Sequence, residues 1–582
     1  MKNLFTLSKY FWRYRLKLLY GVLFIILSNA GTTYIPIIIK DSINAIGEGT
    51  TSEQLIHFAL LIAGVSLVSG IFRFMIRQTI IVVSREIEYD LRGDFWAHIQ
   101  RLPVRYFQNT PTGTIMAHAT SDINAVRSFI GPAVMYSVDT GLRLILSVAV
   151  MMGISWELTV YSLLPLPLLS LLVYLVGKRV HARFTLIQEK FSELTSKAQE
   201  DFSGIRVIKS YVSEDRETET FKSLSIDYLN RNMRLVKVQA LFQPVLFVIT
   251  GLSVIIVIWF GGQQVITGQL QIGDIAALVM YLGILIWPMI AFGWVINIIQ
   301  QAEASMKRLN AIFAEDAEIK DNERTDRSLT KIEGDIRFRK ISFRYGNDLP
   351  YVLKEIDLHI PKGKTYAIMG YTGCGKTTLI NLIPRLYDVS EGVLEIDGRD
   401  VRDYPLSVLR KSIGIVPQET FLFSDSIAAN ICYGLPGIDR VKMEEAAKIA
   451  AFDHDVAQFS NGFDTIIGER GITMSGGQKQ RCSLARALAT DPSVLILDDS
   501  FSAVDTHTEE KILTQLKGVT QQRTAIIISH RVSTVQHADC IIVLKDGAVA
   551  ESGTHEELVE LGGVYAELHY KQLLEEEIQE IN

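Results

Sequence analysis

Two short runs of the sequence carry residues whose types and spacing suit phosphate chemistry. Residues 370–377 fit the pattern G-x-x-x-x-G-K-[ST], in which backbone N–H groups, a lysine and a hydroxyl surround the phosphates of a nucleotide. The apolar run 494–497 ends in the adjacent carboxylates Asp498 and Asp499. Because Mg²⁺ prefers oxygen ligands, a carboxylate at the end of a buried strand suits a nucleotide-bound metal ion. Together the two runs predict a site for a nucleotide and Mg²⁺.

The elements predicted around the first run support that interpretation. Residues 336–343 alternate between apolar and polar as a strand does, and the compact apolar run 365–369 predicts a second strand that leads into the glycine-rich loop. Residues 378–383 then begin a helix. Backbone N–H groups and a helix N-terminus favour phosphate anions, Lys376 adds a charge for the β- and γ-phosphates, and the Thr377 hydroxyl can bind Mg²⁺.

Further motifs follow in a set order. Ile415-Val416-Pro417-Gln418-Glu419 is followed by Met474-Ser475-Gly476-Gly477-Gln478 and by the strand that ends at Asp498. The apolar run 526–528 is then followed by Ser529 and His530. With these motifs in this order, the chain resembles the ATP-binding cassette (ABC) transporters. The resemblance covers nearly the whole chain and implies an exporter half-transporter, with ATP and Mg²⁺ as its cofactors and ATP hydrolysis as its reaction.

The family's roles can be assigned to matching residues. The resemblance implies that Tyr345 stacks on adenine, that Gln418 joins Asp499 and His530 in catalysis, and that Thr377, Gln418 and Asp498 hold the metal ion. The residues expected to bind ATP are Tyr345, Gly370, Tyr371, Thr372, Gly373, Cys374, Gly375, Lys376, Thr377 and Thr378. The signature expected to contact ATP on the opposite subunit is Ser475, Gly476, Gly477 and Gln478, and the loop between the two sites contains Ser502 and Asp505. The run 465–471 resembles an exporter-specific segment that meets the coupling helices.

One position departs from the family pattern. Most members of the family have a glutamate at the position of Asp499, and that glutamate polarises the attacking water. An aspartate carboxylate lies about 1.5 Å, one C–C bond, further back. Because positioning errors of ~1 Å can cost ~10²-fold in rate, we expect ATP to bind but to be hydrolysed slowly. In the family, such a substitution is typical of one half of a heterodimer, so a heterodimer is favoured and a homodimer with two slow sites stays open.

The first half of the chain predicts a membrane domain. Six apolar segments approach the ~20 residues that a bilayer requires, at about residues 18–38, 56–82, 132–153, 157–177, 243–262 and 274–299. Basic residues at positions 2, 9, 13, 15 and 17 place the N-terminus on the cytosolic side. The loop 261–273 contains no lysine or arginine and suits the outside, so the nucleotide domain lies in the cytosol.

Two charged connections between spans are too long for turns. They predict that the spanning helices extend into the cytosol and turn back near Pro103–Ser121 and Asp201–Glu214, where the tips can meet the nucleotide domain. Within the third span, Asp139 and Arg143 lie one helical turn apart. Ionisable groups at this depth are costly and often functional, and a mutually neutralising pair is the alternative.

Length, composition and charge agree with this organisation. The chain has 582 residues with a mean hydropathy of +0.21. We expect six long transmembrane helices of the ABC exporter fold in residues 1–310, a linker in 311–330 and an α/β P-loop NTPase domain in 331–582. The net charge of −6 argues against a nucleic-acid partner. The expected partners are a second half-transporter, membrane lipids and an amphipathic drug- or lipid-like substrate, and the expected location is the plasma membrane, or the inner membrane of a Gram-negative cell. A channel or regulator that transports nothing stays an alternative.

Overall fold

A computed structural model describes residues 2–346, 348–468, 474–520 and 523–581. The chain forms two compact units. The first contains Met1–Gln100 and Thr112–Glu315, and the second contains Arg101–Pro111 and Asp316–Asn582.

The first unit is built from helices, several of which continue into one another. Short π-helical segments at Arg77–Ile81, His118–Asp122 and Phe129–Ala133 join the helices on either side of them. In chain order the helices are α1 (Ser8–Arg13), α2 (Arg15–Gly47), α3 (Ser52–Ile76), α4 (Val82–Ile99), α5 (Val104–Asn109, which groups with the second unit), α6 (Thr112–Ala117), α7 (Ile123–Ser128), α8 (Val134–Ile154), α9 (Trp156–Leu163), α10 (Leu166–Ser203), α11 (Ile205–Ser210), α12 (Glu214–Ile266) and α13 (Ile272–Ala314).

Among the described residues, five helices are long and apolar enough to cross a membrane. They are Arg15–Gly47, Ser52–Ile99, Thr112–Ile154, Glu214–Ile266 and Ile272–Ala314. These helices contain five of the six spans expected from the sequence.

The fourth expected span, 157–177, differs from a single long apolar helix. Helix α9 ends at Leu163 and α10 begins at Leu166, with Pro165 between them. Proline lacks a backbone N–H, so one hydrogen bond of a continuous helix is missing at this point, although Leu164 and Pro165 both keep helical dihedral angles. The apolar part of α10 is then short, because Lys178 follows. The segment expected as the fourth span therefore contains α9 and the beginning of α10.

The two predicted cytosolic turns are present. Helix α5 lies within Pro103–Ser121, and α11 lies within Asp201–Glu214. Both are short helices between much longer ones, as expected if long helices extend and reverse direction there. Helix α5 groups with the nucleotide-binding half of the chain. Their role in coupling stays a prediction.

The two charged residues in the third span pair with each other, and both bond to one amide from another helix. The Arg143 guanidinium lies 3.2 Å from the Asp139 carboxylate, one turn earlier in α8. The Asn29 amide of α2 donates to Asp139 at 3.0 Å, and its oxygen accepts from Arg143 at 3.2 Å. The sequence predicted the ion pair as one of two alternatives, whereas the contribution of Asn29 depends on how α2 packs against α8.

The second unit contains two sheets with helices around them. Its strands are β1 (Ile336–Phe343), β2 (Leu353–Ile360), β3 (Thr365–Gly370), β4 (Glu391–Ile396), β5 (Arg399–Asp400), β6 (Ile413–Val416), β7 (Val494–Asp498), β8 (Thr524–Ile528), β9 (Cys540–Lys545) and β10 (Ala548–Gly553). Its remaining helices are α14 (Lys376–Leu382), α15 (Leu406–Lys411), α16 (Ile427–Ile431), α17 (Arg440–Ile449), α18 (Asp453–Val456), α19 (Gly476–Ala489), α20 (Thr506–Thr520), α21 (Val532–Val535), α22 (His555–Leu561) and α23 (Val564–Ile581).

The larger sheet positions the chemistry. Its strand order is β10-β9-β3-β8-β7-β6, with parallel pairing from β9 to β6 and an antiparallel β10 at one edge. Every residue of β7 and β8 is buried, as is typical of parallel strands covered on both faces. The carboxyl ends of β3, β7 and β8 meet at one edge of the sheet, where ligands bind in open α/β folds. The smaller sheet is antiparallel, in the order β2-β1-β4-β5.

The Asp539 carboxylate fixes the beginning of β3, which leads into the glycine-rich loop. It accepts from the Thr365 backbone N–H at 2.8 Å and from the Lys364 ammonium at 2.9 Å. Burial by itself raises the pKa of Asp539, but these two donors outweigh it, so the pKa lies below its usual value. A carboxyl whose pKa is lowered on folding stabilises the fold above its unfolded pKa and loses that contribution as pH falls.

We expect Asp539→Ala to destabilise the nucleotide domain modestly at neutral pH. The lost hydrogen bonds to a half-exposed carboxylate are worth about 1 kcal/mol, which lowers Tm by about 2–4 °C in a domain of this size. Thermal unfolding of the full chain at pH 7 and at pH 3.5 measures the effect. The difference from wild type should shrink at the lower pH, and an undiminished difference there would contradict a role for the ionised carboxylate.

Candidate nucleotide site

The glycine-rich loop joins β3 to α14 in the geometry that its sequence predicts. Gly370 has φ +144°, and a Cβ there would lie 2.3 Å from the Leu544 carbonyl oxygen. Gly375 has φ +102° and immediately precedes α14. Glycine tolerates both constraints, which explains its presence at these positions. The Lys376 ammonium is buried beneath the loop and donates to the carbonyls of Gly370 at 2.8 Å and Tyr371 at 3.1 Å.

The metal-binding side chains expected from the sequence come together at the ends of different elements. The Thr377 hydroxyl, in the first turn of α14, donates to the Asp498 carboxylate at 2.9 Å, although 121 residues separate them. Asp498 ends β7 and is 3% exposed. Burial raises the pKa of Asp498, and the hydrogen bond from Thr377 opposes that rise. A hydroxyl beside a carboxylate is a donor set that suits Mg²⁺.

A cavity of about 180 Å³ collects most of the predicted site. It is lined by the loop and helix residues Thr372, Gly373, Gly375, Lys376, Thr377 and Thr378, together with Gln418, Asp498, Asp499 and His530. The residues of the loop that do not line it are Gly370, Tyr371 and Cys374. Gly370 and Tyr371 supply the carbonyls that accept from Lys376, and the buried Cys374 thiol lies 3.9 Å from the same ammonium.

Asp499 and His530 follow the ends of β7 and β8, and the main chain sets where they lie. Asp499 has φ +45°, and its N–H donates to the Ile528 carbonyl of β8 at 2.9 Å. His530 lies two residues beyond β8. Partial desolvation and the nearby Lys376 ammonium lower the pKa of His530, although Asp499 and Asp498 oppose that effect. The imidazole is therefore neutral at pH 7 and available to accept or donate a hydrogen bond.

Tyr345 lies beside the site and does not line the cavity. Its hydroxyl is 2.9 Å from the Thr378 hydroxyl, and its ring packs edge-on against Phe343 and Tyr387, with centroid separations of 5.0 and 5.3 Å. The aromatic cluster holds the ring near the first turn of α14. Stacking on adenine stays a prediction.

Two substitutions at Tyr345 test that prediction. If the ring stacks on adenine, Tyr345→Ala should weaken ATP binding by about tenfold, since stacking on an aromatic ring is worth about 1–3 kcal/mol per base. Tyr345→Phe keeps the ring and should bind ATP within about twofold of wild type. Titration of the full chain with ATP and with inosine triphosphate measures both effects. Equal losses in the two variants would attribute the effect to the hydroxyl and contradict stacking.

The predicted signature begins α19, away from the cavity on this chain. Ser475 caps the helix, because its hydroxyl accepts from the Gln478 N–H at 3.2 Å while the Gln478 side chain accepts from the Ser475 N–H at 3.0 Å. Ser475 and Gly476 are exposed. A Cβ on Gly477 would lie 2.8 Å from the Ala503 carbonyl oxygen, so this glycine allows α19 to approach the loop that contains Ser502. The signature is thus presented at the surface, where a second subunit could reach it.

Comparisons with known proteins agree with these motifs. Residues 18–289 match the family model of the ABC transporter transmembrane region, and residues 353–502 match the ABC transporter model. The chain is 34% identical over 569 residues to the uncharacterized ABC transporter ATP-binding protein YknU of Bacillus subtilis, covering 98% of this chain and 97% of the relative. The chain belongs to the ABC transporters.

Other proteins similar to this ABC transporter include a multidrug resistance-like protein, a lipid A-core flippase and an ABC exporter of known structure. It is 35% identical to the multidrug resistance-like ATP-binding protein MdlA of Escherichia coli, over 90% of this chain and 89% of MdlA. It is 32% identical to the ATP-dependent lipid A-core flippase of E. coli, over 94% of both chains. The structure of a bacterial Atm1-family ABC exporter with ATP bound matches with a TM-score of 0.80 at 26% identity, covering 96% of this chain and 98% of that one.

The family membership confirms several predictions for this ABC transporter. It confirms the fold class and an ATPase coupled to transport. It also confirms that ATP binds and that the protein lies in a membrane with its nucleotide domain in the cytosol. The roles of individual site residues stay predictions. The expected exporter segment is described only as far as Gly468, and its residues 469–471 lie outside the described residues.

Sequence reasoning missed three residues that hold this site together. The Gln480 amide donates to the Ser502 hydroxyl at 3.0 Å and accepts from the Ala503 N–H at 3.1 Å, which ties α19 to the inter-site loop. Arg531 donates to the buried Glu509 carboxylate at 2.6 Å, next to His530. Gln572 of α23 bonds the main chain around His530. Of these three residues, only Gln480 could have been noticed from the sequence, because it lies two residues after the signature.

Proposed function

We propose that this ABC transporter exports amphipathic, drug-like or lipid-like molecules as one half of a heterodimer whose composite sites differ in ATPase activity. One observation carries the proposal. Asp499 stands at the cavity where the family has a glutamate, while the signature Ser475–Gln478 is intact and its first two residues are exposed. The chain would then hold ATP in a slow site of its own and complete a faster site on its partner.

The proposed substrate class rests on the relatives and on the membrane domain. Multidrug resistance-like and lipid A-core flippase proteins resemble this chain over nearly its full length. Many large apolar side chains of the membrane helices are exposed in the single chain, including Trp259, Trp287 and Phe292. An amphipathic molecule from the inner leaflet or cytosol is compatible with such surfaces.

The site residues divide the work of the proposed cycle. Lys376 and the loop N–H groups would bind the phosphates, and Thr377, Gln418 and Asp498 would hold Mg²⁺, which neutralises phosphate charge when bound. ATP held between this site and the partner's signature would close the two nucleotide domains. The short helices α5 and α11 would transmit that closure to the spanning helices.

Two alternatives are retained. Gln418 and His530 are both present at the cavity, so a homodimeric multidrug exporter or lipid flippase with two slow sites remains compatible with the residues. A non-transporting ATP-gated channel or regulator would use the same site. Vesicle experiments distinguish it, because a transporter gives ATP-dependent substrate flux without ion conductance.

The first test is the ATP turnover of this chain purified alone in lipid nanodiscs, with its oligomeric state measured by mass. We expect a monomer, or a dimer with turnover below about 1 s⁻¹, the lower end of typical enzymes. Addition of a half-transporter that carries the catalytic glutamate should form a heterodimer and restore turnover. A homodimer with robust turnover would overturn the heterodimer requirement.

A further inference from the structure

One side chain from the last helix holds the main chain at His530 and two residues further on. The Gln572 amide nitrogen donates to the His530 carbonyl, and its oxygen accepts from the Val532 N–H at 2.8 Å. Gln572 thus clamps the short connection between β8 and α21. The clamp joins residues that are 40 or more positions apart in the chain.

Helix α23 is itself fixed to the core of the domain. The Glu551 carboxylate accepts from the N–H groups of Val564 and of Tyr565, the latter at 3.1 Å, and so holds the helix N-terminus. Tyr565 is fully buried and packs in a cluster with Met369 of β3 and Val532 of α21. Gln572 therefore projects from an element that is anchored to the strand preceding the glycine-rich loop.

The His530 side chain depends on its backbone for its position. Within the part of the chain that the structure describes, no hydrogen bond holds its imidazole, which lines the cavity near Lys376, Asp498 and Asp499. Its other main-chain neighbour, Arg531, is tied to Glu509 at 2.6 Å. Bonds to the His530 carbonyl, the Arg531 side chain and the Val532 N–H therefore set where the imidazole lies.

We propose that Gln572 is a positioning residue of the ATP site, which fixes the main chain around His530 and so sets where the imidazole meets the nucleotide. The inference rests on the role in catalysis that the family resemblance implies for His530. Loss of the clamp would leave the cavity intact and let the imidazole move away from the reacting phosphate. Misplacement by ~1 Å can cost ~10²-fold in rate even when the substituted residue does not touch the substrate.

The test uses the full chain with Asp499→Glu in lipid nanodiscs, so that turnover can be measured. Gln572→Ala removes both bonds, and Gln572→Glu keeps the acceptor for Val532 but removes the donor to His530. The matched control is Lys571→Ala, a neighbouring exposed position on the same helix. For each variant, kcat and KM for ATP are measured from pH 5 to pH 8, together with Tm.

We expect both Gln572 variants to lower kcat by about tenfold or more, with KM for ATP raised no more than several-fold and Tm close to the control. Because the freed imidazole becomes better hydrated, the lowered pKa of His530 should return toward its ordinary value. The acidic limb of the pH–rate profile should then move to higher pH. A purely structural role would not move this limb.

Two results would overturn the inference. In the first, the Gln572 variants have the same kcat and pH profile as Lys571→Ala. In the second, they lose kcat, ATP binding and Tm in parallel.

If the parent binds ATP without turning it over, the test is the ratio of Kd for ADP to Kd for a non-hydrolysable ATP analogue. Gln572→Ala should reduce that ratio several-fold, and an unchanged ratio overturns the proposal. A parent that binds no ATP would instead refute the proposed function of the site.

Discussion

Replacing Asp499 with glutamate is expected to raise ATP turnover in the dimeric form of this chain by about tenfold to hundredfold. The backbone at this position is set by the bond from the Asp499 N–H to Ile528 at 2.9 Å, so side-chain length decides how far the carboxylate reaches. A glutamate extends it by about 1.5 Å, one C–C bond, toward the attacking water. The left-handed φ of +45° favours aspartate slightly over glutamate, so a small loss of stability should accompany the gain.

The measurement is steady-state phosphate release from the purified chain in nanodiscs, normalised to the dimer fraction found by mass. Asp499→Asn is the control, because it keeps the length and tolerates the same backbone conformation but removes the negative charge. It should show no gain. Equal and robust turnover by wild type and Asp499→Glu would show that the aspartate is an adequate catalytic residue.

Replacing Lys376 with alanine is expected to weaken ATP binding by at least about a hundredfold. Lys376 is 7% exposed, and its ammonium is already directed at the loop that would surround the phosphates. Hydrogen bonds to charged groups contribute about 1.5–3 kcal/mol each. Two such contacts with the β- and γ-phosphates, worth about 3–6 kcal/mol in sum, correspond to a factor of a hundred or more.

Equilibrium titration with ATP, at fixed salt and Mg²⁺, measures this loss. Lys411→Ala is matched in charge and removes an exposed lysine at the end of α15, outside the site. It should bind ATP within about twofold of wild type. Binding by Lys376→Ala that equals the control would exclude Lys376 from phosphate recognition, provided that both variants retain the wild-type Tm.

Local patterns in the sequence determined most of the architecture and the composition of the site. Apolar runs near bilayer length predicted the membrane half, and alternating strands and helices around residues 370–377 predicted the nucleotide domain. These features depend on neighbouring residues, because burial in lipid or in a parallel sheet requires continuous apolar runs. The break at Pro165 was visible in the sequence, but a hydropathy pattern does not register a missing backbone N–H.

Only the tertiary structure decided which distant groups touch. The sheet order brings Thr377 within 2.9 Å of Asp498, and the packing of α23 brings Gln572 to the main chain around His530. Asn29 reaches the Asp139–Arg143 pair only because α2 packs against α8. Such contacts arise from long-range packing, whose partners leave no periodic signal in a single sequence. The sequence by itself thus determined which chemistry this transporter can perform, and the fold decided which residues hold that chemistry in place.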